Sequence, residues 1–272
     1  MKRTRKLTLL LLAVLSLTLM MGLSASAASR RKLVKTEKYY NANGKLSSAY
    51  SYKYNSKGHI TSYTRKEYDN GKLQGTYKTT IKRSYYKGTR RTKKVTYKNS
   101  KSKYSYSYTY TYTKAGAMKT SVYKNSDGGY SKTTYKSSGS KIKSSVTKDK
   151  NGNKIESAKY DSHGNMKSYT SYYDGDKSTT TYKYTYKKGV VRKEVAKYSD
   201  GSTNTWIYNS HGDLSKSVYK DGSYSSTYKY KHNYKNGYLR KRTSYWYNKE
   251  KKKYQKSDWI TYTYTSKTYY LG

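Results

Sequence analysis

Between residues 103 and 114 the chain reads KYSYSYTYTYTK, so that Tyr104, Tyr106, Tyr108, Tyr110 and Tyr112 alternate with serine and threonine. An α-helix would scatter these rings around its axis, whereas a β-strand sends successive side chains to opposite faces. The segment therefore predicts a strand with one ring-bearing face and one hydroxyl face. The same alternation recurs at Tyr182, Tyr184 and Tyr186, at Tyr228 and Tyr230, and at Ile260, Tyr262 and Tyr264. Cross-strand neighbours on one face lie about 5 Å apart, close enough for rings on adjacent strands to form a continuous band. Such a band buries apolar area with few rotatable bonds to freeze. That opposes the disorder expected of a chain so charged and so poor in aliphatic residues. The ladder at 104–112 is either the packed face of the sheet or an exposed stacking platform, and the scarcity of large apolar patches on soluble proteins favours packing.

The glycines reveal a repeat. Tyr40–Gly44–Leu46, Tyr54–Gly58–Ile60, Tyr160–Gly164–Met166 and Tyr208–Gly212–Leu214 share the pattern Tyr-[Asn/Asp]-x-x-Gly-x-aliphatic, with shorter copies at Tyr68–Gly71–Leu73 and Tyr234–Gly237–Leu239. The aliphatic mark recurs at Leu46, Leu73, Val95, Met118, Ile142, Met166, Val191, Leu214 and Leu239, at intervals of 22 to 27 residues. Between these marks fall Asp-Gly turns at Gly175, Gly201 and Gly222. Asn-Gly and Asp-Gly supply the positive φ that tight turns require. The spacing predicts an all-β antiparallel meander of nine to ten tandem β-hairpins over residues 37–272, a single domain forming a twisted or curled strip. Gly44, Gly58, Gly71, Gly164, Gly212 and Gly237 are its structural turn residues.

This pattern resembles the YD repeats of Rhs- and teneurin-type proteins, over most of the chain from residue 37 onward. The resemblance implies β-hairpins that spiral into a strip, which in long members closes into a hollow shell. This chain is short and divergent, and it has no counterpart of the toxin domain or the self-cleaving region. Only the hairpin strip is carried over.

Residues 1–27 have the layout of a secretory signal peptide: basic at Met1 to Lys6, apolar from Leu7 to Leu23, then Ala25-Ser26-Ala27. An uncleaved anchor is the other reading of so apolar a run. Residues 28–36 read as a flexible basic arm. The expected mature chain is bacterial, has no integral membrane segment, and is secreted, extracellular or cell-wall associated. With no cysteine in the sequence, disulfides and thiolate metal sites are excluded.

Catalytic patterns are missing. His163 and His211 occupy the turn position held by Asn43 and Lys57 in other copies, which marks a loop residue. Asp69, Asp161, Asp174, Asp200, Asp213 and Asp221 all fall at turns, and no carboxylate pair suits glycoside hydrolysis. The run Asp149–Glu156 lacks the glycine and the glutamate spacing of a calcium loop. No phosphate loop or nucleophile elbow is present. A non-enzymatic protein without cofactor or metal is expected.

Charge is the remaining signal. Four of the 59 basic residues lie in 1–27, leaving 55 against 15 acidic residues, a formal charge of +40. That far exceeds what solubility needs, and such a surface attracts polyanions through counterion release. Two dense runs are the candidate polyanion-binding residues: Lys87, Arg90, Arg91, Lys93 and Lys94, and then Lys249, Lys251, Lys252, Lys253 and Lys256. The expected function is adhesion through lysine and tyrosine to anionic cell-wall polymer of the teichoic-acid type, acidic glycan or nucleic acid. Rival readings are a structural repeat protein with a protein partner, and a cationic antibacterial protein, which the absence of an amphipathic cationic helix disfavours.

Overall fold

The computed structural model describes residues 29–271 except 88, 90 and 101–103. The expected signal peptide at 1–27 and the candidate residue Arg90 lie outside the described residues.

Eighteen strands follow one another through the described residues. The first nine are β1 (Ser29–Tyr40), β2 (Leu46–Tyr54), β3 (Ile60–Asp69), β4 (Lys72–Tyr85), β5 (Thr92–Asn99), β6 (Ser105–Tyr112), β7 (Met118–Asn125), β8 (Tyr130–Ser138) and β9 (Lys141–Asp149). The rest are β10 (Lys154–Tyr160), β11 (Met166–Tyr173), β12 (Asp176–Lys187), β13 (Val190–Tyr198), β14 (Thr203–Tyr208), β15 (Leu214–Asp221), β16 (Tyr224–Lys235), β17 (Tyr238–Asn248) and β18 (Lys253–Leu271). Each pairs antiparallel with the next, and β1 also pairs with β18, so the sheet closes into a barrel.

Closure corrects the expected strip. An open strip would leave two edges of unpaired N–H and C=O groups. Here the pairing from Ser29 opposite Leu271 to Tyr40 opposite Trp259 consumes both. Residues 29–36, expected as a flexible arm, belong to β1 and run along β18. The bonds that hold them are main-chain bonds, which leave no mark on side-chain composition.

The two faces of the sheet differ sharply. On β4, Thr79 and Ile81 are buried while Lys78, Thr80 and Lys82 are exposed. Register carries the buried set around the wall: Ile81 lies opposite Tyr97, Tyr97 opposite Tyr106, and Tyr108 opposite both Val95 and Tyr123. On β12 the same set is Thr180, Tyr182, Tyr184 and Tyr186, against exposed Thr181, Lys183, Thr185 and Lys187. Side chains crowd on the concave side of a barrel and splay on the convex side. The rings therefore line the lumen, and lysine, threonine and serine cover the outer wall. Val95, at 2% exposure, is the most enclosed large side chain, and Ala196 and Ile260 are buried beside the same band. Barrels of 16 to 18 strands are wide enough to keep a channel. Among the described residues, the ring contacts join strands no more than two apart, and none spans the lumen.

The two ends of the barrel are also distinct. Eight turns follow the even-numbered strands and share one end with Ser29 and Leu271. Each of these eight hairpins carries a register shift just before its turn. At four of them the tyrosine and the aliphatic residue of the repeat are the cross-strand partners that close it: Tyr54 with Ile60, Tyr112 with Met118, Tyr160 with Met166, Tyr208 with Leu214. Bulges sharpen local twist and are common at barrel rims. The opposite end holds eight of the 15 carboxylates in or beside its turns, Asp127, Asp174, Asp200 and Glu250 among them.

The six turn glycines named from the sequence have φ between +76° and +87°. Around Gly164 and Gly212 nothing lies within 4 Å of an added Cβ, so backbone strain alone sets the cost there. Gly164→Ala or Gly212→Ala should each lower stability by about 1 kcal/mol or more, read from the unfolding midpoint.

Candidate functional site

The inner tyrosines are occupied with one another and with the backbone. The Tyr184 hydroxyl donates to the Met166 carbonyl at 2.9 Å, that of Tyr264 to Leu239 at 2.8 Å, and that of Tyr54 to Val34 at 2.6 Å. Each tie reaches 18 to 25 residues back along the chain, so one hairpin is fastened to an earlier one. At the bulged end, Tyr186 donates to Asp161 at 2.7 Å and accepts from Asn165 at 2.6 Å, while His163 stacks on its ring at 4.2 Å. His211 stacks in the same way on Tyr234, at 4.3 Å, and Tyr234 donates to Asp213. The turn histidines are thus ring caps. Phenylalanine could do none of this bonding.

Three carboxylates are sunk into this band. Glu37 accepts from Tyr39 at 2.9 Å and Tyr52 at 3.2 Å, Glu156 from Tyr169 at 2.8 Å, and Glu194 from Tyr208 at 3.0 Å. Burial raises the Glu194 carboxyl above its ordinary range, and the Tyr208 bond only partly opposes that. Of the opening ladder, Tyr106, Tyr108, Tyr110 and Tyr112 face the lumen, and burial lifts all four phenols. Tyr104 precedes β6, is more exposed, and shares a 3.0 Å bond with the Tyr123 hydroxyl. Truncation separates ring from hydroxyl. Tyr184→Phe should cost about 1 kcal/mol for the lost bond, and Tyr184→Ala about 3–5 kcal/mol for the ring, both measured by denaturant unfolding.

The outer wall offers a different surface. Threonine, serine and lysine dominate it; outward rings beside lysines occur singly at Tyr130 and Tyr172 and are densest across β16, β17, β18 and β1. Lys229 lies opposite Tyr245, which in turn lies opposite Lys256, and Tyr247 lies opposite Tyr254. The Lys256 ammonium sits 3.4 Å from the Trp259 ring centroid, with Lys241 at 5.1 Å. Tyr40 stacks on that indole at 5.1 Å and 9°. Lys229 lies 4.2 Å over Tyr254, and Lys231 lies 5.4 Å over Tyr245. Each such contact at an exposed site contributes about 0.5–1 kcal/mol, enough to bias where a lysine rests without neutralising it. The nearby carboxylate Asp258 points inward and accepts from Ser244 at 2.7 Å. The patch is therefore aromatic, positively charged and open to water.

The two basic runs named from the sequence do not meet. Lys249, Lys251 and Lys252 form the turn between β17 and β18, Lys253 opens β18, and Lys256 joins the patch. Lys87 and Arg91 lie in the turn after β4, with Lys93 and Lys94 on β5, at the other end of the barrel and five strands around the wall. Lys229, Lys231, Lys241, Tyr245 and Trp259 belong to the patch but were not singled out, because only the register brings them together. No group of three or more metal-ligating side chains occurs among the described residues.

No family model and no curated protein matches the chain. The resemblance to YD repeats accordingly rests on the repeat pattern alone. Among solved structures, a porin-like protein from Bacteroides uniformis superposes with a TM-score of 0.50 at 13% identity, over 85% of this chain and 98% of that one. A porin-like protein from Bacteroides vulgatus gives 0.43 at 10% identity over 87% and 100%, and a Photorhabdus luminescens Tc holotoxin pore gives 0.39 at 13% identity over 83% and 12%. At these identities the likeness is one of fold.

Proposed function

We propose that the protein is an exported, water-soluble barrel that adheres to anionic polymer at the cell surface, without catalysing a reaction. The observation that carries this reading is the outward patch of β16–β18 and β1, where Lys229, Lys231, Lys241 and Lys256 stand over Tyr245, Tyr254 and Trp259. Lysines neutralise phosphates or carboxylates, and the rings offer faces for sugars or bases to stack on. A phosphate-rich wall polymer, an acidic glycan and extracellular DNA share that chemistry.

The porin-like neighbour raises the alternative of a membrane-inserted barrel. A transmembrane barrel needs an outward apolar band about 25 Å tall, with its polar residues inside. Here the polarity runs the other way: exposed Lys78, Thr80, Lys82, Thr181, Lys183 and Thr185 face out, and tyrosine faces in.

The test is binding of the protein to a phosphodiester wall polymer across a salt series. Affinity should fall with log salt, by about 0.7–0.9 of a log unit per phosphate contact. Replacing Lys229, Lys231 and Lys256 together by glutamine should weaken binding about tenfold or more and flatten that slope. Lys87→Gln with Lys94→Gln should matter little. Equal loss from both sets would reduce the reading to unspecific charge, and insertion into lipid vesicles would favour the membrane alternative.

A further inference from the structure

Inside the barrel one stretch of wall is cationic. Arg242 on β17 lies opposite His232 on one side and Ile260 on the other, and Ile260 is buried. Arg240 shares this inward face, two residues earlier. The Arg242 guanidinium is 5.5 Å from the Tyr230 ring and that of Arg240 is 5.2 Å from the Tyr264 ring. These rings offer faces but no lone pair in line with the Nε–H groups. The Nε atoms of both arginines and Nε2 of His232 are buried without a hydrogen-bond partner. Native proteins rarely leave buried donors of charged groups unmatched, because each such donor carries a desolvation penalty.

The carboxylates nearby are engaged elsewhere. Asp213 accepts from Tyr234, and Glu37 accepts from Tyr39 and Tyr52. The cluster also lies near an entrance, since β17 begins at Tyr238, beside the bulged end. Arg240 falls at the β16–β17 register shift, so its Cα stands at most roughly 7 Å from that of Arg242. A carboxylate fills a single guanidinium fork. A tetrahedral oxyanion presents oxygens to both forks and keeps one for a third donor.

We propose that this part of the lumen is a seat for one tetrahedral oxyanion, a phosphate or sulfate group, held between Arg240 and Arg242 with His232 as the third contact. The seat faces the lumen, whereas the lysine–ring patch lies on the outside of the same strands, so the two stand or fall separately.

Inorganic phosphate and sulfate, titrated into the protein by calorimetry with chloride as control, should show saturable binding at one site. Both anions should raise the melting temperature. Arg240→Gln and Arg242→Gln should each weaken binding at least tenfold and abolish the anion-dependent rise, while the triple glutamine variant of the outer lysines retains both. If either arginine variant fails to fold, the arginine Nε–H signals of the unaltered protein decide, because two of them should shift on phosphate addition. Absence of saturable binding, or equal affinity in folded arginine variants, would overturn the proposal.

Discussion

Between pH 10 and about 12, the barrel is expected to unfold as one unit, with the inner tyrosines ionising in the same transition. Burial pushes the Tyr182 and Tyr54 phenols up to about 12. Tyr186 and Tyr234 also reach about 12, chiefly through burial and then through the hydrogen bonds they give to Asp161 and Asp213. The sign follows from which form the fold prefers. A free phenol ionises near pH 10, and the native barrel holds these phenols neutral, so their contribution is complete below pH 10 and is lost as pH climbs through the folded values. Because the rings form one band, ionising one puts charge beside its neighbours and makes the next harder to keep folded. Tyrosinate absorbance and the amide infrared band, followed together against pH, should change in a single step. Independent ionisation near pH 10 with the sheet intact would show that the band is wet and loosely packed.

Deletion of residues 29–40 should make the protein self-assemble and should cost it most of its stability. β1 holds β2 on one side and β18 on the other. Its loss opens both strands as edges, and it removes Tyr39 and Glu37 from the inner band, where Glu37 accepts from Tyr52. Open edges flanking an exposed ring face are the conditions for intermolecular strand pairing. Sedimentation should show large assemblies where the intact chain gives a single species. A monomeric deletion variant with an unchanged melting point would mean that the seam contributes little.

Alternation at 104–112 and at 182–186 announces strands directly, because the period of a strand is written in side chains. The repeat pattern marks turns for the same reason: Gly58 and Gly164 sit at positive φ, which few other residues tolerate. Closure was not legible. Nothing in SRRKLVKT distinguishes a loose arm from a strand paired with the last residues of the chain, since main-chain atoms form the seam. The outer patch was half legible. Lys249 to Lys256 stood out as a run, but Lys229 and Lys241 lie on other strands and join Lys256 only through register. The inner arginines were invisible as a site, because the run Arg240-Lys241-Arg242 does not show which of its side chains turn inward until the faces are known.

Seventeen of the eighteen strand pairings join consecutive strands, and one joins the first strand to the last. Folding can therefore proceed hairpin by hairpin with short loops to close, up to the final step. That step must bring together Tyr40 and Trp259, more than two hundred residues apart, at the entropic cost of closing the whole chain. Local pairings are fast and distant ones slow, so a nearly complete but still open sheet is the natural intermediate. Its lifetime, set by how quickly the ends find each other, fixes how long a copy stays exposed to joining another copy's edge instead of its own.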